Sequence, residues 1–235
     1  MFSFDTRVSY SRVDRNGRVP LYEIMNYLQD CSNFQSEELG AGIEYMESEG
    51  KAWVLTAYKI LINKPLKLGQ KICIGTAPTQ FKSLFGSRQY FIKDEAGEYL
   101  VLADSQWILI DIDSRKPLRI TDKDAEVYKT EPEFADITAT RRIKFEGEKQ
   151  RMQDFQVKKT YIDNNGHMNN ADYLRVAQEI LPENFFCSEL DIVYSKEALE
   201  GQVITPYIYK EDKAVGIMFE SQEKEVLTKI RLMQN

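Results

Sequence analysis

A turn-forming sequence near the start of the chain occurs a second time farther along it. The segment Val8–Val19 contains Asp, Asn and Gly at positions 14, 16 and 17, and Val157–Met168 contains them at 163, 165 and 166, an offset of 149 residues. Downstream, Leu68–Ile72 resembles Glu200–Ile204 at an offset of 132 residues, so the second copy is shorter by 149 − 132 = 17 residues. Self-similarity of this kind indicates two copies of one supersecondary unit.

Each copy continues from the turn into apolar residues with helical spacing. Pro20 suits the first position of a helix, and Pro182 stops one. The apolar faces consist of Leu21, Ile24, Met25 and Leu28, with Cys31 or Ser32, in the first copy, and of Tyr173, Leu174, Ala177 and Leu181 in the second. The spacing predicts one long helix per copy. The first helix is apolar on more than one face, which is typical of a helix covered by a sheet.

Stretches rich in β-branched and aromatic residues follow each helix and predict strands. They cover 53–63, 70–76, 87–93 and 99–112 in the first copy, and 190–194, 202–209, 215–220 and 226–232 in the second. This order predicts an α+β fold of two tandem units, each a long helix wrapped by an antiparallel sheet. We expect the first unit at 1–113 and the second at 152–235. The intervening 114–151 is rich in charge and carries Pro117 and Pro132, which predicts a partly structured connector.

Charge and cysteine content argue against several classes of protein. The net charge of -6 is unfavourable for nucleic-acid binding, which normally requires a clustered basic face. Three widely spaced cysteines and a single histidine predict neither a disulfide framework nor a metal site. No stretch of about 18 apolar residues is present to span a membrane, and the N-terminus lacks the apolar core of a secretory signal. These features predict a soluble, cytoplasmic protein.

The turn of the second copy carries more polar side chains than a turn requires. Residues Asp163–Asn170 precede the predicted helix, whose first N–H groups and dipole could stabilise an oxyanion. Gly166 allows a tight turn or the close approach of a ligand. An ordinary turn and N-cap would also contain Asp, Asn and Gly. However, the first copy has Arg18 where the second has His167, the only histidine of the chain, so this residue indicates a functional site.

Residues 163–174, Asp-Asn-Asn-Gly-His-Met-Asn-Asn-Ala-Asp-Tyr-Leu, resemble the D-x-x-G-H-x-N-N-x-x-Y-L signature of hotdog-fold thioesterases. Two tandem copies with this signature only in the second resemble, over residues 2 to 235, the fatty acyl-ACP thioesterases of bacteria and plant plastids. The resemblance implies two tandem hotdog units and hydrolysis of fatty acyl-ACP to free fatty acid and holo-ACP, without cofactor or metal. The implied partner is an acyl carrier protein bearing an acyl-phosphopantetheine group.

The family's motifs also imply the catalytic residues. Asp163, Asn165 and His167 match its D-x-N-x-H run. The segment Tyr194–Ala198 matches a Tyr-Arg-Arg-Glu-Cys-like run, which places the family's glutamate at Glu197. We therefore expect Glu197 to act as the general base on water and His167 to position that water. Asn165 would orient groups through its amide, Asp163 would hold the turn, and N–H groups at the helix start would receive the oxyanion.

The chain departs from the family pattern at one position. Ala198 stands where plant enzymes have a cysteine, so a Cys–His mechanism is unavailable there. Cys187 would be the only fallback, and it is better interpreted as a small buried hydrophobe. In the first copy, Lys64-Pro65 occupies the place of Lys196-Glu197. That copy lacks both the histidine and the carboxylate, and we expect it to be catalytically silent.

Substrate contacts are expected in both copies. Near the catalytic residues the candidates are Gly166, Met168, Asn169 and Asn170. In the first copy the resemblance suggests that the helix and adjoining strands wall an acyl tunnel. The candidates there are Ile24, Met25, Leu28 and Trp53. Core packing would explain each of these apolar residues equally well.

Other functions remain open. An acyl-CoA thioesterase of the same fold is the nearest alternative, although the tandem arrangement favours ACP. A non-catalytic acyl-binding module on the same scaffold would not need the complete set of catalytic residues. A dehydratase could pair the histidine with Glu23 or Asp30, but those enzymes lack the Gly-His-Met-Asn-Asn pattern. A monomer of the double unit and a homodimer both fit the sequence.

Overall fold

The computed structural model describes residues 1–182 and 185–234, and the chain divides into two compact units, Met1–Ala139 and Thr140–Asn235. This boundary falls inside the predicted connector, so 114–139 belongs to the first unit and 140–151 to the second. Positions 183, 184 and 235 of the predicted second unit lie outside the described residues.

The first unit contains one long helix, two short ones and an antiparallel sheet. The helices are Leu21–Glu38 (α1), Ile43–Ser48 (α2) and Asp122–Glu126 (α3), and the strands are Phe2–Arg7 (β1), Lys51–Ile62 (β2), Lys71–Lys82 (β3), Phe85–Asp94 (β4), Tyr99–Asp111 (β5) and Pro117–Leu118 (β6). Strand order is β1-β3-β4-β5-β2, and β6 pairs with β5. The predicted order of one helix followed by four strands is therefore present, with β1 added at the edge.

Helix α1 packs a stripe of side chains against β1 and β3. Its buried residues are Ile24, Met25, Tyr27, Leu28, Cys31, Ser32 and Gln35. Their spacing keeps them on neighbouring faces of the helix. On β3, the buried residues Ile72, Ile74 and Thr76 share one face because side chains alternate along a strand. The sequence pattern predicts the helix as far as Ser32, and the structure extends it to Glu38.

The second unit repeats this plan with a shorter helix. Its elements are Lys149–Arg151 (β7), Phe155–Gln156 (β8), Asn170–Ile180 (α4), Cys187–Tyr194 (β9), Val203–Lys210 (β10), Ala214–Ser221 (β11) and Val226–Gln234 (β12). Antiparallel pairing gives the order β9-β12-β11-β10-β7, and β8 also pairs with β10. The ring of Tyr173 on α4 packs against Phe219 of β11 and Tyr194 of β9, at centroid distances of 5.3 and 6.0 Å.

Backbone hydrogen bonds repeat between the units at the offsets seen in the sequence. The N–H of Val19 donates to the carbonyl of Leu66 at 3.0 Å, and the N–H of Met168 donates to the carbonyl of Ala198 at 2.8 Å. Positions 19 and 168 differ by 149, and positions 66 and 198 by 132. The two units therefore share one backbone frame, in which Pro65 is the structural equivalent of Glu197.

Two buried polar side chains bind the connector to the first unit. The Oε1 of Gln89 accepts hydrogen bonds from the N–H groups of Phe134 (3.0 Å) and Ala135 (3.2 Å). The Oδ2 of Asp104 accepts from the N–H of Ala139 at 2.8 Å. Gln89 and Asp104 are register partners on β4 and β5. These bonds explain why the last part of 114–139 folds with the first unit.

Replacing Asp104 with asparagine is expected to stabilise the protein at high pH. Burial raises the pKa of Asp104 to about 7, whereas an unfolded aspartate titrates near ~3.9. The folded state therefore retains a proton that the unfolded chain releases, and stability falls as pH rises from roughly 4 to 7. Asparagine keeps an acceptor for the Ala139 N–H and removes the charge. Thermal unfolding should show a higher Tm for Asp104→Asn at pH 8 and little difference at pH 4.

Asp111 on the same strand provides a control with the opposite sign. Hydrogen bonds from Ser114 lower the pKa of Asp111. Its stabilising contribution is present at neutral pH and is lost as pH falls through that lowered pKa. Asp111→Asn should therefore reduce Tm at pH 8. A higher Tm at pH 8 for both variants would contradict the explanation that burial of Asp104 causes the effect.

Candidate active site

The loop that leads into α4 is fixed by the carboxylate of Asp163. Its Oδ1 accepts hydrogen bonds from the N–H groups of Asn165 (2.9 Å) and His167 (3.4 Å). The N–H of Asp163 donates to the carbonyl of His167 at 2.9 Å. Gly166 lies at φ +80°, a conformation that side chains rarely adopt. Aspartate and glycine at these positions therefore satisfy the requirements of a tight Asx-type turn.

The first unit has the same turn without the same chemistry. The Oδ1 of Asp14 accepts from the N–H groups of Asn16 (2.8 Å) and Arg18 (3.0 Å). Gly17 lies at φ +69°. The turn residues thus have a structural explanation in both units. Of the differences between the loops, the one that changes the acid–base chemistry is the side chain at the fourth position after the aspartate, arginine in one and histidine in the other.

The structure brings His167 into contact with Glu197. The Nε2 atom of His167 lies 3.1 Å from Oε2 of Glu197, and the two side chains are 19% and 37% exposed. Two backbone bonds hold the segment after β9: Met168 N–H donates to Ala198 at 2.8 Å, and Lys196 N–H donates to Leu227 at 3.2 Å. A half-buried imidazole beside a more accessible carboxylate can act as an acid–base pair.

Most N–H groups around the start of α4 already donate hydrogen bonds within the protein. Asn169 is the N-cap, and its Oδ1 accepts from the N–H of Ala171 at 2.9 Å. The N–H of Asn169 donates to Tyr161, and that of Asp172 donates to Asn169. The Met168 N–H is bonded to Ala198, as described above. These four N–H groups already have acceptors in local caps and nearby segments, and the expectation that N–H groups at the helix start receive the oxyanion stays a prediction.

The side-chain amide of Asn165 is a better candidate donor. Its Nδ2 makes a long contact of 3.5 Å with Oδ2 of Asp163. An amide nitrogen carries two hydrogens, so one remains for a ligand. Asn170 lies at the first position of α4, and its carbonyl accepts a hydrogen bond from the hydroxyl of Tyr194 at 3.0 Å. Met168 has a buried side chain, which restricts it to packing and backbone contacts.

Neither alternative position provides a nucleophilic cysteine. Ala198 is fully buried and has no reactive side chain. Burial raises the pKa of the Cys187 thiol to about 12, and its Sγ donates to the carbonyl of Glu189 at 3.1 Å. A thiol with this pKa stays protonated at neutral pH and is a poor nucleophile. The site chemistry is therefore centred on the imidazole and the carboxylate.

The four candidates for an acyl-binding wall lie in the first unit. Ile24, Met25 and Leu28 are buried on the α1 face that packs against the sheet. Trp53 is half-buried on β2, and its ring lies 5.9 Å from Phe81 and 6.1 Å from Tyr128. Tyr128 lies in the connector, which is why sequence patterns gave no reason to group it with Trp53. The acyl-binding role of these residues stays a prediction.

Comparison with protein-family models shows to which family the chain belongs. The model of the acyl-ACP thioesterase N-terminal domain matches residues 1–128, and the model of the C-terminal domain matches residues 145–233. The chain belongs to the acyl-ACP thioesterase family. It is accordingly a thioester hydrolase of fatty acyl-ACP. A search of curated proteins gave no match.

Solved structures of acyl-ACP thioesterases share the fold along the whole chain. An acyl-ACP thioesterase from Bacteroides thetaiotaomicron superposes with a TM-score of 0.90 at 21% identity, covering 99% of this chain and 97% of that one. The 12:0-ACP thioesterase from Umbellularia californica gives 0.85 at 15% identity, covering 100% and 96%. These similarities confirm the predicted tandem double-hotdog fold of the thioesterase. In the described part of the chain, no helix is long and apolar enough to cross a membrane.

Removing the turn aspartate should affect catalysis in one unit only. Asp163→Ala and Asp14→Ala each remove equivalent hydrogen bonds to the loop backbone. We expect each substitution to destabilise the protein by about 1 kcal/mol. Only Asp163→Ala should also lower thioesterase turnover, because its loop carries His167. Thermal unfolding and steady-state rates on acyl-ACP measure the two effects, and equal loss of turnover in both variants would contradict this division.

Proposed function

We propose that Glu197 and His167 of the second unit hydrolyse the thioester of fatty acyl-ACP to free fatty acid and holo-ACP. The supporting observation is the 3.1 Å contact between the imidazole and the carboxylate. The first unit has the same backbone frame but carries Arg18 and Pro65 at the matching positions. Duplication thus provides an internal comparison in which only the second unit retains acid–base side chains.

In the proposed reaction, water attacks the thioester carbonyl directly. Glu197 accepts a proton from the water as the oxygen–carbon bond forms, and His167 holds the carboxylate and the water in position. The amide of Asn165 donates to the developing oxyanion. The carbon–sulfur bond then breaks, and the pantetheine thiolate departs and takes up the proton that Glu197 accepted, which restores the carboxylate. A thiol with a pKa near the ~8.5 of cysteine is a good leaving group, so little acid assistance is needed.

The remaining candidates fit supporting roles around this pair. Asp163 and Gly166 hold the loop, as their turn geometry supports. Asn169 and Asn170 contact the pantetheine end of the substrate from the start of α4. Met168 contributes through its backbone, which links the loop to Ala198. The first unit binds the acyl group, with Ile24, Met25, Leu28 and Trp53 as its proposed contacts.

The proposal also covers the carrier of the acyl group, the oligomeric state of the protein and its cellular compartment. Family membership favours ACP over CoA as the carrier of the acyl group. One chain supplies both units, and both a monomer of the double unit and a homodimer fit the proposal. Three unpaired cysteines are compatible with the reducing cytoplasm. A non-catalytic acyl-binding module is disfavoured because it has no need for the imidazole–carboxylate pair.

Single substitutions in the pair should abolish most of the activity without unfolding the protein. His167→Ala and Glu197→Gln are each expected to lower kcat by about 100- to 10,000-fold, the range typical of lost acid–base catalysis. Arg18→Ala is the matched control, because it alters the same turn position in the unit that lacks catalytic groups. The measurement is thiol release from a panel of acyl-ACPs, with the corresponding acyl-CoAs alongside.

The outcomes separate the competing functions. Faster hydrolysis of acyl-ACP, lost in both variants and kept in Arg18→Ala, is the expected result. Faster hydrolysis of acyl-CoA would move the enzyme to the alternative carrier and leave the site unchanged. Binding of acyl thioesters without hydrolysis by the wild type would show a binding module. Normal turnover by both variants would refute the proposed mechanism.

Cysteine chemistry should make no contribution. Because its half-buried thiol has a raised pKa and donates to the carbonyl of Glu189, Cys187→Ala is expected to retain wild-type turnover within about a factor of two. Prior treatment with iodoacetamide should leave the rate of the wild type unchanged. Loss of activity in Cys187→Ala, with an unchanged unfolding temperature, would instead support a covalent acyl-enzyme mechanism.

A further inference from the structure

A side-chain hydrogen bond links the two segments that carry the imidazole–carboxylate pair of the second unit. The hydroxyl of Tyr194, the last residue of β9, donates to the carbonyl of Asn170 at 3.0 Å. Asn170 is the first residue of α4 and lies three positions after His167. Tyr194 lies three positions before Glu197. The bond therefore joins the start of α4 to the end of β9, close in the chain to both members of the pair.

The first unit has the same backbone frame without this bond. At the offset of 132 residues, Tyr194 corresponds to Ile62, the last residue of β2. At the offset of 149 residues, Asn170 corresponds to Leu21, the first residue of α1. The side chain of isoleucine carries no hydrogen-bond donor, so the bond cannot form there. This link from strand to helix is therefore specific to the unit that carries the imidazole–carboxylate pair.

Two neighbours of Tyr194 differ between the units in the same way. Its register partner on β12 is the buried Thr228, and its ring lies 6.0 Å from that of the buried Tyr173 on α4. The corresponding residues of the first unit are Val101 and Ile24. Burial of a hydroxyl group costs free energy that a hydrocarbon side chain avoids. Packing alone would favour the apolar residues, so the hydroxyl groups of the second unit indicate another role.

Two separate links fix an orientation that one link leaves free. The backbone bond from Met168 to Ala198 joins the loop and the strand segment at one point, about which they could rotate. The bond from Tyr194 to Asn170 joins them at a second point, and rotation about the first would break it. The 3.1 Å contact between imidazole and carboxylate is thereby maintained. Acid–base catalysis requires such a distance, and a displacement of about 1 Å can lower a rate by about 100-fold.

We propose that Tyr194 is a positioning residue for thioester hydrolysis. Its hydroxyl holds the start of α4 at the end of β9 and keeps His167 and Glu197 in reacting geometry. Tyr194 acts through this pair and not on the reacting atoms of the substrate. Desolvation raises the pKa of Tyr194 well above its usual value, so the hydroxyl stays protonated and remains a donor. The proposal rests on the proposed function, in which this pair activates water.

The test removes the hydroxyl and keeps the ring. Tyr194→Phe should lower kcat on acyl-ACP by about 10- to 100-fold, as expected when reacting groups are displaced. KM should stay within about a factor of two, because the substrate contacts are unchanged. Tm should fall by at most about 4 °C, since the carbonyl of Asn170 keeps its place in the hydrogen bonds of the helix. Tyr194→Ile copies the first unit and should lose as much turnover.

A double substitution separates positioning from a general effect on the structure. In the His167→Ala background one member of the pair is absent, so the alignment of the pair no longer matters. Adding Tyr194→Phe should then change the residual rate by less than about a factor of two. An equal loss of turnover in both backgrounds would show that Tyr194 acts independently of the pair and would overturn the proposal.

Tyr209→Phe is the matched control in the same unit. Tyr209 is half-buried on β10, where its ring stacks on Phe145 at a centroid distance of 4.5 Å, and this variant should keep the wild-type kcat. Unchanged kinetics in Tyr194→Phe, or a higher KM at unchanged kcat, would overturn the positioning role and leave the proposed function intact. Loss of the folded circular dichroism spectrum in both hydroxyl-free variants would show a structural role and also overturn it. Full turnover by His167→Ala and Glu197→Gln would overturn the proposed function and this inference together.

Discussion

The candidate active site depends on one backbone hydrogen bond, from the N–H of Met168 to the carbonyl of Ala198 at 2.8 Å. It joins the loop before α4 to the segment after β9 and so sets the residues beside it, His167 and Glu197, next to each other. Without this bond the imidazole and the carboxylate would belong to two unrelated loops. The turn around Asp163 then fixes the direction in which the histidine points.

The same bond in the first unit shows that this frame is not specific to catalysis. Val19 and Leu66 make it there, beside Arg18 and Pro65. The frame holds a helix against its sheet in both units, and the side chains attached to it decide whether chemistry follows. The first unit therefore keeps the backbone frame without the reactive pair. Its interior contains the buried guanidinium of Arg88.

Local sequence patterns predicted the presence of helices and strands better than the residues at which these elements end or the residues with which they form hydrogen bonds. The alternation and helical spacing around Met25 and Leu28 are local signals, so α1 and the strands after it could be placed. The division of the connector between the two units could not be predicted. It depends on hydrogen bonds to Gln89 and Asp104, which lie on strands far from the connector in the sequence. The acceptors of the N–H groups around the start of α4 could not be predicted either, since partners such as the carbonyl of Tyr161 are set by tertiary packing.

The sequence by itself determined the duplication, the fold class and the asymmetry between the two copies. These follow from repeated spacing and from residue identity, which do not require coordinates. Only the tertiary structure decided that His167 and Glu197 touch, that the half-buried thiol of Cys187 donates to the carbonyl of Glu189, and that the buried Arg88 bonds to the neutral side chains of Gln35 and Thr76. The reason is that contact distance, burial and charge compensation depend on residues far apart in the chain, and folding alone brings them together.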